Sequence, residues 1–404
     1  MKTNKCLTVL VLMTVALALL AGCGTAQPTA TMIPAADTPL PTNTSLPPTD
    51  TPAPTATMIP ATEPPILADT PAPSTDTTTA PAWPTKRESH TMAYDPQTER
   101  VLLFCGYDTL VSALAWEHED ADLKARDEWA YGAAQNRLEL LATTPYVIYN
   151  KAVTNGQAGR VIAFGPENTA VYDMESRAWE KMEPPEEPPT YRFWYALAYD
   201  SQSDRVILFG GYPQTLHDTW AYDFETNTWT EMSPEVSPAY RWGHAMAYDA
   251  ESDRIIMWGA SELERTPMGE EEKTTVWVYD YETNIWTALE SKGGPSYRGF
   301  HTMVYHPGTD RIILFGGYHL GEVTFSDETW AYDYNTNTWT QLTPATHPSG
   351  RRFHTMVYDE AADKIVLFGG IAGTFLKEEI NDELWIFDPV AEEWSQVMPG
   401  STNP

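Results

Sequence analysis

The chain has 404 residues and a formal charge of −31, with 25 Lys and Arg against 56 Asp and Glu. A surface this acidic repels phosphate backbones and anionic lipid headgroups, which excludes nucleic acid as a partner and suits solubility outside the cell. Of the cysteines, Cys6 and Cys23 fall in or at the end of the leader and only Cys105 remains in the body, so no internal disulfide is expected there. In the run RVLLFCG, Cys105 reads as a small buried residue.

Residues 1–22 read as a secretory signal. Lys2 and Lys5 open it, and Leu7 to Leu20 form an apolar stretch too short for a comfortable membrane span. Its end, Leu20-Ala21-Gly22-Cys23, resembles the lipobox of bacterial lipoproteins. The resemblance implies that Cys23 carries lipid and becomes the N-terminus of a chain anchored to a membrane and exposed on the extracellular side of the envelope. Two or three acyl chains anchor stably where one does not. Without Lys2 and Lys5 the charge sits near −33.

Residues 23–84 are a linker rich in Thr, Pro and Ala, with ATMIPA at 30–35 and again at 56–61. Such a composition buries no core and favours extended polyproline II. At ~3.1 Å per residue the segment reaches roughly 190 Å, the span of a spacer.

From residue 85 a pattern recurs at a spacing of roughly 50 residues. Its first element is RESHTMAYD (87–95), RFWYALAYD (192–200), RWGHAMAYD (241–249), RGFHTMVYH (298–306) and RRFHTMVYD (351–359). Alternating apolar residues there predict a half-buried strand. The second is a continuous apolar run ending at or near glycine: RVLLFCG, RVIAFG, RVILFGG, RIIMWGA, RIILFGG and KIVLFGG. That pattern predicts a strand covered on both faces. The third is DEWAYG, NTAVYD, DTWAYD, TVWVYD, ETWAYD or ELWIFD, and the fourth opens six residues later on Trp179, Trp229, Trp286, Trp339 or Trp394, with Leu138 in the first copy.

Six copies of four short strands predict an all-β domain over residues 85–398, a ring of six antiparallel sheets that cover one another. The blades run approximately over 87–141, 145–182, 191–232, 240–289, 298–342 and 351–398. The glycine pair, the W-x-Y-D strand and the following Trp resemble the kelch repeat of the galactose oxidase and kelch superfamily. Copy one departs from it at Cys105 and Leu138. Copy two departs through its missing Arg and His, Pro166 and Ala170. Closure is expected by packing of copy six on copy one.

The connections after strand two are long in copies one (Tyr107 to Asp127), four (Ser261 to Thr275) and six (Ile371 to Asn381). Variation on one face of a constant scaffold marks a binding surface. That face also receives Arg87, Arg192, Arg241, Arg298 and Arg351, Tyr107, Tyr212 and Tyr318, and the aromatics Trp194, Trp242, Phe300 and Phe353. Resemblance to peptide-binding kelch domains implies that such arginines and post-glycine side chains line a central pocket. There Arg suits carboxylates, and Tyr or Trp suits sugar faces or peptides. The same arginines could instead pair with acids of adjacent blades and hold the ring. The repeated His90, His244, His301 and His354 read as structural members of strands.

No nucleophile elbow, zinc helix or phosphate loop is present in the sequence. No cofactor or metal is expected, and the chain is expected to be a monomer. Galactose oxidase needs a further C-terminal domain, and this chain stops at Pro404. The leading expectation is an anchored binding module for a glycan, peptide or protein. The alternatives are an exported carbohydrate-active enzyme, resembling sialic-acid mutarotases in architecture alone, and a structural spacer.

Overall fold

The strand-two runs decide the architecture. Each opens on a half-buried Arg or Lys and then buries four consecutive residues, as in Arg205–Phe209 and Lys364–Phe368. Such a strand lies inside a stack of sheets. The computed structural model describes residues 83–108, 127–143, 151–155, 158–165, 169–212, 216–259, 275–291, 293–319 and 323–399. The leader, Cys23 and the Pro/Thr-rich segment up to residue 82 lie outside them, as do most of the long connections in copies one and four.

Among the described residues there are six four-stranded sheets, all antiparallel. The first holds β1–β4, at Thr91–Asp95, Arg100–Phe104, Asp127–Gly132 and Arg137–Thr143. The second holds β5–β8, at Lys151–Asn155, Arg160–Phe164, Thr169–Asp173 and Ala178–Met182. The third holds β9–β12, at Ala196–Asp200, Arg205–Phe209, Thr219–Asp223 and Thr228–Met232. The fourth holds β13–β16, at Ala245–Asp249, Arg254–Trp258, Thr275–Asp280 and Ile285–Glu290. The fifth holds β17–β20, at Thr302–His306, Arg311–Phe315, Thr329–Asp333 and Thr338–Leu342. The sixth holds β22, β23, β26 and β27, at Thr355–Asp359, Lys364–Phe368, Leu384–Asp388 and Glu393–Val397.

One further sheet departs from the sequence reading. The connection expected as a loop in copy six is a hairpin, β24 (Ile371–Thr374) and β25 (Lys377–Ile380), and β24 also pairs with the two-residue β21 (Arg351–Arg352). It forms because Ile371 and Ile380 bury one side against Phe325 of the fifth copy.

Each sheet is too thin to cover itself, and six apolar clusters join consecutive sheets. Phe209 of the third sheet, for example, packs edge-on against Trp286 of the fourth, with ring centroids 5.1 Å apart. The sixth and first sheets share the last cluster, in which Phe368 meets Leu138 where other copies place Trp. The first strands touch in a closed cycle, β1 to β5, β9, β13, β17, β22 and back to β1.

One backbone bond repeats around that cycle. The second glycine of a copy donates its N–H to the carbonyl of the Arg that opens the next: Gly211 to Arg241, Gly317 to Arg351, and Gly370 to Arg87, each at 2.9 Å. The last of these joins copy six to copy one with no exchange of strands. The first glycine is needed for the same approach. Gly210 has φ of 64°, and a Cβ there would lie 2.6 Å from the Arg241 carbonyl oxygen.

Candidate functional site

The arginines come first, because the structure places them away from any opening. Arg87, Arg192, Arg241, Arg298 and Arg351 are all buried, at 0–1% exposure. Each Nη1 donates to the carbonyl eighteen residues on, at Cys105, Gly210, Gly259, Gly316 or Gly369. Each Nε donates to the carbonyl two residues back. Four of them also pair with an acid of their own copy, not of an adjacent one: Arg87–Asp127 at 2.9 Å, Arg192–Asp218 at 2.8 Å, Arg351–Glu383 at 2.5 Å, and Arg298–Glu328. These arginines brace the approach to strand one against the end of strand two and, in four copies, the start of strand three, so their guanidinia are engaged inside the blades.

The same acids accept the indole N–H of the Trp two residues later, as in Trp220 to Asp218 at 2.7 Å and Trp385 to Glu383 at 3.0 Å. Burial pushes these carboxyls up. The guanidinium and indole outweigh it, and Asp127, Asp218, Glu328 and Glu383 all sit below their ordinary range. The acid-x-Trp spacing was the sequence signal for this role.

The histidines lie one residue before strands β1, β13, β17 and β22 rather than within them. Each ring meets an aromatic of the preceding copy edge-on, as in His90–Phe368 and His244–Phe209. Burial, then the charge of the nearby Arg, holds all four imidazoles neutral; His354 is pushed down to about 3. Copy three has Tyr195 at this position, and its hydroxyl donates to the Phe164 carbonyl.

The six first strands enclose a cavity of about 890 Å³, to which all six copies contribute. At one end it meets the face that carries the strand-two connections. There the third residue of the R-x-x-H element projects inward: Ser89, Trp194, Gly243, Phe300 and Phe353, with φ of 51°, 52°, 71°, 60° and 55°. Backbone bonds link them, Phe300 N–H to the Gly243 carbonyl at 2.6 Å and Gly243 N–H to the Trp194 carbonyl at 2.7 Å. Large aromatic residues resist this left-handed conformation, which costs on the order of 1–2 kcal/mol each. Trp194 packs on Trp242 at 4.9 Å and on Phe300 at 5.5 Å, and Phe300 packs on Phe353 at 4.5 Å. The result is an aromatic collar at the mouth.

Of the tyrosines named from the sequence, Tyr212 joins the collar, 5.3 Å from Trp194. Tyr107 forms a bridge with Glu88, and burial raises its phenol well above the ordinary value. Tyr318 lies with the hairpin, stacked on Phe375 at 5.8 Å. Arg352, half-buried, sits over Phe353 at 4.9 Å and Phe325 at 5.2 Å and pairs with Glu378 at 2.5 Å. The hairpin tip leaves Phe375 50% and Leu376 86% exposed on this face. Neither the hairpin nor Arg352 was singled out from the sequence.

Comparison with known proteins matches residues 158–358 to the Attractin/LZTR1 β-propeller family model. This chain is a kelch-repeat β-propeller. The propeller is similar to the Rab9 effector protein with kelch motifs of Mus musculus, 26% identical over 207 residues, or 48% of this chain and 52% of that protein. The Bos taurus counterpart is 40% identical over 101 residues, 24% of this chain and 26% of that protein. Kelch domain-containing protein 3 of Homo sapiens is 28% identical over 135 residues, 31% of this chain and 34% of that protein. The matched part thus spans about half of these relatives' length or less.

Proposed function

We propose that this propeller is a lipid-anchored interaction module on the outside of the cell, and that its ligand docks on the face bearing the aromatic collar. The observation that carries the reading is the collar itself: Trp194, Phe300 and Phe353 held in a costly backbone conformation around an open cavity. Strained aromatic side chains at a rim are retained where they do something besides fold. The exposed Phe375 and Leu376 extend the same face. Kelch-repeat relatives, one of them an effector protein by name, support a protein partner over a glycan. The Leu20-Ala21-Gly22-Cys23 sequence and the Pro/Thr-rich spacer support display at a distance from a membrane.

The test uses Trp194→Gly, because copy four already carries Gly243 at this position. The variant is expected to keep its melting temperature within a few degrees. It is expected to lose at least tenfold in affinity for any ligand found by screening envelope proteins, peptides and glycans against the wild-type chain. A ligand bound equally by both, or bound on the face of the short turns, would contradict the proposal.

A further inference from the structure

The structure assigns the central channel a carboxylate site at Lys151, where a small organic carboxylate pairs with the lysine ammonium. The inference deepens the reading of the collar face as a binding face, since the collar is this channel's mouth.

Lys151 opens β5, in the register that Thr91, Ala196, Ala245, Thr302 and Thr355 occupy in the other copies. The threonines there tie neighbouring copies together. Thr302 donates to the His354 carbonyl at 3.1 Å and Thr355 to the His90 carbonyl at 2.9 Å. Lys151 does not follow that pattern. Its side chain passes copy three and its Nζ donates to the His244 carbonyl of copy four at 3.4 Å. A long cationic side chain therefore spans part of the channel on one long hydrogen bond.

Nothing anionic among the described residues answers that charge. Of the channel wall only Glu360 is acidic, and it is exposed at the opposite end. His244, His301 and His354 feel the Lys151 charge and are themselves held neutral. The Tyr195 phenol is directed at Phe164. Behind these, Arg192, Arg298 and Arg351 are paired with their own acids. Burial, with no compensating carboxylate, pushes Lys151 down to about 8.

A half-buried ammonium with one weak partner is costly, and a carboxylate would supply both charge and acceptors. The threonine hydroxyls stand at the same level of the channel, and Val153, Val304 and Val357 line the wall beyond. Apolar walls favour an organic carboxylate over an inorganic anion. The cavity volume falls in the range of small-molecule sites. With the facing histidines neutral, one group sets the pH response. Binding is strongest between roughly pH 5, where carboxylates are ionised, and pH 8. It weakens above that as the amine loses its proton.

The test is calorimetric titration of the full chain with benzoate, with acetate, with inorganic phosphate and with a short blocked peptide bearing one glutamate. Saturable 1:1 benzoate binding at pH 6.5 is expected, weaker by at least tenfold at pH 9.5 and in Lys151→Met. Lys151→Met is expected to melt no lower than wild type, because it removes an uncompensated charge, and Lys151→Arg retains binding. Tighter binding of the glutamate peptide, with the same dependence on Lys151, would support the site and give its carboxylate a peptide source. No saturable binding, phosphate bound as tightly as benzoate, or equal benzoate affinity in Lys151→Met overturns the inference. Benzoate binding without Trp194-dependent capture would overturn the face reading alone, and the reverse would overturn the channel site alone.

Discussion

Replacing Arg192 by Met is expected to lower the stability of the propeller by about 3–5 kcal/mol, the usual cost of removing one partner of a buried ion pair. The guanidinium is fully buried and serves four acceptors at once: the Thr190 carbonyl and hydroxyl, the Gly210 carbonyl and the Asp218 carboxylate. Met fills similar volume but leaves the Asp218 carboxylate without its guanidinium, held by the Trp220 indole and a backbone N–H. Arg205 is the control. It pairs with Asp223 at 2.7 Å but is 26% exposed, and Arg205→Met is expected to cost less than about 1 kcal/mol. Denaturant unfolding of the two variants side by side reads the difference.

The pH dependence follows from the same pair. In the folded wild type the Asp218 carboxyl sits below its ordinary value, so its contribution is present above about pH 4 and is lost as pH falls toward the folded value. Without Arg192 its two largest opposing contributions are gone, and burial, the largest of all and acting upward, faces the indole and one backbone N–H. Acid unfolding of Arg192→Met is therefore expected at higher pH than in wild type. An unshifted acid midpoint would contradict the role given to the guanidinium.

Trp286→Ala is the second large effect, also about 3–5 kcal/mol. Trp286 is 2% exposed, stands edge-on to Phe209 of the preceding copy, and packs on Tyr279 of its own at 4.8 Å. Its indole donates to the Thr219 hydroxyl at 3.0 Å across the same boundary. Truncation opens a cavity between two sheets and orphans that hydroxyl. Trp286→Phe keeps most of the packing and is expected to recover more than half of the loss. Because each sheet depends on its neighbours for cover, unfolding of Trp286→Ala is expected as one transition, not as release of a single blade. A melting curve with a separate early step would count against shared cores.

Most of the scaffold was legible because repetition averages out local ambiguity. The second strands buried four residues in every copy, as their unbroken apolar runs implied. The site was legible only in part. Trp194 and Trp242 stand on the face assigned to them, yet Arg87 and its counterparts lie inside the blades. Their acid partners stand two residues before Trp129, Trp220, Trp330 and Trp385, a spacing present in the sequence whose pairing with Arg only the fold reveals. Lys151 was hidden for a different reason: copy two has lost its opening Arg and His, so KAVTN aligns with TMAYD only once the pairing of β5 with β6 is known. The copy-six hairpin was hidden because its apolar contacts reach into another copy.

The most direct test of the whole account is a diffraction or cryo-electron-microscopy structure of the chain, read first for the number of sectors around the channel. The account predicts six, with the Gly370 to Arg87 bond closing the ring and the Lys151 amine inside it. Five or seven sectors, an open arc, or two separate sandwiches would contradict it.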